Sequence, residues 1–303
     1  PSSSEYSNVA LQGELVDMEN GGIGGVADAS LSGFYVIGHH SVPWVDLLGL
    51  LIFLGVCAGV SLHGLARFIA NRRNPHPHPA LKRVYMYDVY DRIWHWLQAF
   101  SIFVLLLTGL VIHKPHLFGV FNFSWMVDVH NILGIILIIN ATLALFYTVA
   151  SGTIKRFLPD PDGFFGRAFA QSMYYTKGIF AGDLHPLEKT KDNRLNPLQQ
   201  VTYLAILNVL LPLQVITGLM LYWGSQNWPI YFTALGGLPF LAPAHTLIAW
   251  VFAAFIVMHV YLTTAGGHTP MAGIKSMITG WDDVEQRPEK AVQFEEEAKP
   301  EAS

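Results

Sequence analysis

The run AHTLIAWVFAAFIVMHVYL, from Ala244 to Leu262, contains no charged side chain and carries one histidine near each end, His245 and His259. An α-helix needs about 20 such residues to cross the hydrocarbon core of a bilayer. Fourteen positions separate the two histidines. At about 100° per residue that interval returns to within roughly 40° of the starting azimuth, so both rings share one helix face. At about 1.5 Å per residue they stand roughly 21 Å apart along the axis. An ionisable side chain inside a membrane helix is costly, and it usually faces a partner or a function. Two on one face, one toward each end, point to two stacked sites.

Composition agrees with a membrane protein: 52% of residues are hydrophobic, 13% are charged, and the mean hydropathy is +0.37. A net charge of −4 gives no basis for a nucleic-acid partner. The single cysteine, Cys57, excludes a disulfide framework, a cysteine-ligated iron–sulfur cluster and covalent haem attachment through C-x-x-C-H.

The pattern predicts an all-α membrane protein with five transmembrane helices, the last four forming a haem-binding bundle. The apolar spans run over residues 44–69, 93–112, 125–150, 201–223 and 243–264. Trp44, Trp94, Trp96, Trp125 and Trp223 lie near their ends, where interfacial anchors belong. Residues 1–43 are polar, glycine-rich and free of Lys and Arg, and read as an outer N-terminal extension held by another subunit. Residues 44–70 form the first of these helices, 151–196 a long inner loop, and 282–303 an acidic tail. The aromatic stretch 164–180 suits an interfacial helix or a plain loop.

Of the 18 Lys and Arg residues, only Lys114 falls on the other side of the membrane from the rest. By the positive-inside rule the N-terminus is outside and the C-terminus inside. That orientation assigns a depth to each histidine. His130 and His245 fall in an outer layer, and His95 and His259 in an inner one. Two bis-histidine haems b explain the sorting; four unrelated core histidines are the plainer alternative and require coincident depths. Gly109, Gly134 and Gly218 suit either a porphyrin edge or close helix packing. His63 reads as a packing residue and His113 and His116 as surface residues, while His268 is placed to relay protons beside the inner layer.

The segments DRIWHW (91–96), DVHNILG (128–134) and the final helix with histidines fourteen apart resemble the di-haem cytochrome b (gamma) subunit of formate dehydrogenase N, with thiosulfate reductase and nickel–iron hydrogenase subunits as relatives. The resemblance spans residues 83–281. It implies that His130 and His245 ligate the outer haem iron and His95 and His259 the inner one. It implies an iron–sulfur partner subunit outside, a catalytic subunit that holds molybdopterin, and a menaquinone site near the inner face of a bacterial cytoplasmic membrane. Asn196 and Gln199 match the family's polar quinone positions, with His259 bordering the site and His268 a further quinone candidate; the family's intervening glycine is Leu198 here. On this reading the chain is the quinone-reactive cytochrome b subunit of a respiratory oxidoreductase, and an oligomer is compatible with it. A hydrogenase cytochrome b is the neighbouring alternative. A histidine-lined metal transporter and a structural membrane anchor are alternatives from other classes.

Overall fold

The computed structural model describes residues 15–17, 23–25, 35–73, 80–187, 189–191, 193–265 and 269–285. In chain order the elements are β1 (Leu15–Asp17), β2 (Ile23–Gly25), α1 (Pro43–Arg73), β3 (Leu81–Tyr85), α2 (Val89–His113), α3 (Phe123–Ala150) and α4 (Phe164–Met173). They continue with α5 (Pro197–Asn227), α6 (Pro229–Ala234), α7 (Gly237–Ala265), α8 (Ala272–Thr279) and β4 (Trp281–Glu285). Helices α1, α2, α3, α5 and α7 are long and apolar enough to cross a membrane. No more than 22% of any of their apolar windows is buried within the protein, so most of that surface is left for lipid.

The spans expected from hydropathy are all present, and each helix extends past its apolar window. Arg72 and Arg73 continue α1, and Asp91 lies in the first turn of α2. These signs suit the helix dipole, acidic at the N-terminus and basic at the C-terminus. Asn122 opens α3 as an N-cap, its side-chain oxygen accepting the Trp125 N–H at 3.0 Å. Helix α5 contains two wider π turns, Ile206–Leu210 and Met220–Gly224. The first ends two residues before Pro212, which lacks the N–H that the Asn208 carbonyl would receive in a regular helix. The aromatic stretch 164–180 forms α4 and continues through a π turn at Tyr174–Gly178.

Two short antiparallel pairs, β1–β2 and β3–β4, have no counterpart in the apolar pattern. In the second, Leu81 faces Glu285 and Tyr85 faces Trp281, the last two rings meeting edge-on at 5.2 Å. Gly280 makes this possible. Its φ of +86° turns the chain from α8 into β4, and its carbonyl accepts the N–H groups of Met86 and Tyr87.

The chain divides into two compact units. The first comprises Pro1–Gly59, Trp94–Ser151 and Leu204–Met258. Leu137, Leu211 and Phe252 form one buried cluster there, and Tyr35, Phe232, Leu238, Leu241 and Ala242 another. Asn140 on α3 donates to the Trp94 carbonyl at 3.0 Å and to Gln98 Oε1 at 2.7 Å, tying α3 to α2. Asp46 on α1 accepts from both His113 and Lys114 at 2.7 Å. That pairing balances the Lys114 charge and makes His113 a hydrogen-bond partner of Asp46 rather than a plain surface residue.

The second unit comprises Val60–Ile93, Gly152–Tyr203 and His259–Ser303. Arg194 is 7% exposed at its side chain and donates to Asp91 Oδ2 at 2.5 Å. Lys189 donates to Asp282 Oδ2 on β4 at 2.7 Å. Burial works against the charge on Lys189, but Tyr87 and Asp282 outweigh it and hold its ammonium above the usual value of 10.5. His63 is fully engaged. Its Nε2 lies 2.8 Å from the Tyr175 carbonyl and its Nδ1 faces the Tyr261 hydroxyl, a packing role.

Two outcomes follow from this packing. A Cβ on Gly49 would collide with the Trp250 indole, so Gly49→Ala should lower the thermal midpoint through about 1–3 kcal/mol of overpacking, with partial recovery in Gly49→Ala/Trp250→Phe. The raised Lys189 value means that its contribution is fully present below pH 10.5 and is lost as pH climbs through the folded value. Thermal unfolding from neutral to strongly alkaline pH should therefore show a decline that Lys189→Met, lower by about 1 kcal/mol at neutral pH, lacks.

Candidate metal centre

His130, in the second turn of α3, and His245, on α7, meet inside the first unit with ring centroids 6.3 Å apart and planes 69° apart. A metal–imidazole bond is about 2 Å long, so two rings flanking one metal atom place their centres about 6 Å apart. The observed separation matches. Each ring rests in a recess lined by a Thr-Gly dipeptide from another helix. On α2, Thr108 Oγ1 lies 2.9 Å from His130 Nδ1, and a Cβ on Gly109 would come within 3.3 Å of the His130 Cε1. On α5, Thr217 Oγ1 lies 2.9 Å from His245 Nδ1, and a Cβ on Gly218 would come within 3.2 Å of the His245 Cε1. The missing side chains at 109 and 218 are what let the imidazoles sit against the helices.

Gln214 adds a further polar group. Its amide nitrogen lies 3.1 Å from His245 Nε2, and its Oε1 is buried without a hydrogen-bond partner. An unsatisfied amide oxygen at this depth is costly and marks a place where another polar or charged group belongs. Two neutral-capable imidazoles, an orphaned acceptor and glycine recesses are a donor set that fits a haem iron held without cysteine.

The remaining predicted positions are distributed over both units. His95 lies on α2 in the first unit, flanked by the Trp94 and Trp96 rings. His259 lies on α7 in the second, its Nδ1 3.3 Å from the Tyr203 hydroxyl. Asn196 and Gln199 engage each other at the start of α5: Gln199 Oε1 accepts the Asn196 N–H at 3.0 Å, and Asn196 Oδ1 accepts the Gln199 N–H at 2.9 Å. This is a capping box. Asn196 also reaches the Tyr175 hydroxyl at 3.3 Å. His268 lies outside the described residues. Among the described residues no cluster of three or more His, Cys, Asp or Glu side chains is arranged to hold a metal ion, so any metal here depends on paired histidines.

Residues 86–280 match the model of the family described as prokaryotic cytochrome b561. The chain belongs to that family. It is a membrane b-type cytochrome with a role in electron transfer, and the imidazole pair is suited to the b-type haem that such proteins bind. The cytochrome is 29% identical over 238 residues to the "Putative cytochrome YdhU" of Escherichia coli (strain K12), covering 78% of this chain and 88% of that one. It is 26% identical over 227 residues to the "Probable Ni/Fe-hydrogenase B-type cytochrome subunit" of Rhizobium leguminosarum bv. viciae, covering 68% and 92% respectively. No solved structure matches.

Sequence reasoning overlooked the hydroxyls of Thr108 and Thr217, the amide of Gln214 and the phenol of Tyr203. A signal was present for the first two, because Thr-Gly-Leu recurs at 108–110 and 217–219. Enlarging either recess glycine should displace its imidazole from the His130–His245 pair. Gly109→Val and Gly218→Val are each expected to cost about 1–3 kcal/mol and to change the haem absorption spectrum, whereas Gly134→Ala, where a Cβ meets nothing within 4 Å, should leave the spectrum unchanged.

Proposed function

We propose that this cytochrome is the electron-transfer subunit of a respiratory oxidoreductase and holds two haems b. The reading assigns His130 and His245 to the iron of an outer haem and His95 and His259 to that of an inner one. The observation that carries it is the meeting of His130 and His245 at 6.3 Å, in two matching recesses, on helices chosen from sequence for equal depth. The inner pair rests on the fourteen-residue interval along α7, about 21 Å of helix, and on the cation distribution. A bound haem supplies one-electron chemistry through its iron; the chain supplies the imidazoles and a low-polarity surround.

Electrons would pass between an outer iron–sulfur partner, itself fed by a substrate-converting subunit that contains molybdopterin, and menaquinone near the inner face. The N-terminus lies outside and the C-terminus inside in this arrangement. Residues 83–281 form the haem-carrying core, residues 44–70 an accessory helix, and the segments 1–43 and 282–303 serve attachment to neighbouring subunits. Asn196, Gln199 and His268 remain the proposed quinone contacts. Asn196 is the strongest of the three, because its side-chain nitrogen points to the Tyr175 hydroxyl at 3.3 Å rather than being used up in the cap. The hydrogenase-type relative supports a second reading in which the partner carries nickel and iron. Copurification of nickel, rather than molybdenum or tungsten, would select it.

Pyridine haemochrome quantification tests the assignment. Wild type should hold about two haems b per chain. His130→Ala and His245→Ala should each remove the same one, and His95→Ala and His259→Ala the other. A folded, haem-free wild-type protein from haem-sufficient cells would overturn the proposal.

A further inference from the structure

The two recesses are close copies, down to the atoms they use. Thr108 Oγ1 donates to the Val104 carbonyl at 2.9 Å, with the Leu105 carbonyl at 3.2 Å, and faces His130 Nδ1 at 2.9 Å. Thr217 Oγ1 donates to the Leu213 carbonyl at 2.8 Å, with the Gln214 carbonyl at 3.1 Å, and faces His245 Nδ1 at 2.9 Å. The following glycine then meets the Cε1 of the same ring in both cases.

A hydroxyl has one proton. Both threonines have carbonyls of the preceding turn within hydrogen-bond reach, and with the proton given to them the oxygen accepts toward the imidazole. Nδ1 must therefore carry a proton, and in a neutral ring Nε2 must then hold the lone pair. At His245 an independent contact agrees: the Gln214 amide nitrogen, a donor, lies 3.1 Å from Nε2. Thr217 thus sets the tautomer from the Nδ1 side, and the Gln214 amide, which takes the Nε2 lone pair here, is the group that a metal bound at Nε2 would displace.

We propose that Thr108 and Thr217 are positioning residues that fix His130 and His245 as Nδ1–H tautomers, present Nε2 as the ligating nitrogen and make both imidazoles stronger electron donors to a bound metal. This rests on the reading of the pair as haem ligands. An acceptor on the distal N–H of a ligating histidine raises its basicity, and loss of such a partner typically costs about 10–100-fold in metal affinity. Stronger donation favours the oxidised iron and lowers the reduction potential. Glycine at the next position lets the ring approach closely enough for the hydroxyl to reach Nδ1.

The test uses the full-length purified protein and measures haem content, haem loss to a competing apo-globin, and the midpoint potential of each haem. Thr108→Val and Thr217→Val keep the shape of the side chain and remove the acceptor. Each should raise the potential of one haem, leave that of the other unchanged, and speed loss of the affected haem about tenfold or more. Thr→Ser at the same positions should restore both properties, which a purely space-filling role would not require. Should a valine variant fail to assemble, Thr→Ala at that position gives the same reading. Unaltered potentials and haem retention in the valine or alanine variants, with His130→Ala and His245→Ala still losing a haem, would overturn this proposal alone. Full haem retention in the histidine variants would overturn the ligation reading beneath it.

Discussion

A polar atom in hydrocarbon has no water to fall back on, so its partner must come from the protein. That constraint sets the arrangement around His130 and His245. Apolar contacts such as those joining Leu137, Leu211 and Phe252 favour closeness without direction. The directional information comes from the few polar side chains on the membrane helices. Asn140 ties α3 to α2 through Trp94 and Gln98. Thr108 ties the His130 ring to α2, and Thr217 ties the His245 ring to α5. Move any of these helices by one residue and a buried nitrogen or oxygen loses its partner, at about 1–3 kcal/mol each.

How much of this was legible depended on the scale of the signal. Five spans of twenty or more apolar residues are unmistakable, and α1, α2, α3, α5 and α7 follow them. Their ends were harder to place, because Arg72, Arg73 and Asp91 belong to the helices although they leave the apolar window. Strands of three to five residues carry no periodic signal, and β3 and β4 were invisible for that reason. The pairing of His130 with His245 was accessible because cation counting assigned a depth to each helix end. The glycines at 109 and 218 stood out in the sequence, but the threonines before them did not. A sequence shows that space is available, not which group fills it. At 109 and 218 the filler is an imidazole, and the threonine beside it supplies the polar contact. Asn196 and Gln199 illustrate the reverse case. Their spacing is that of a capping box, and in the structure they satisfy each other's backbone N–H groups at the start of α5.

The charged residues tell a similar story at the helix ends. Lys114 counts as an exception in a tally of cations, yet with Asp46 and Ser41 around it the charge is locally balanced. Lys189, Lys191 and Arg194 count toward the opposite side, and all three lie against carboxylates of Asp282, Asp88 and Asp91. The tally concerns insertion, when the chain is not yet folded. The folded protein then spends the same charges on docking a loop against the start of α2.

The β3–β4 pair has a consequence for the order of assembly. The two strands flank nearly the whole set of helices from α2 to α8, so β3 leaves the ribosome long before its partner exists. The membrane helices can enter the bilayer one after another, each satisfying its own backbone. Strand β3 cannot. Its N–H and C=O groups stay open until β4 is made, and closing so long a chain segment is a late event. The register of Tyr85 with Trp281 therefore acts as a completion mark, a contact that only a chain synthesised through its last helix can form.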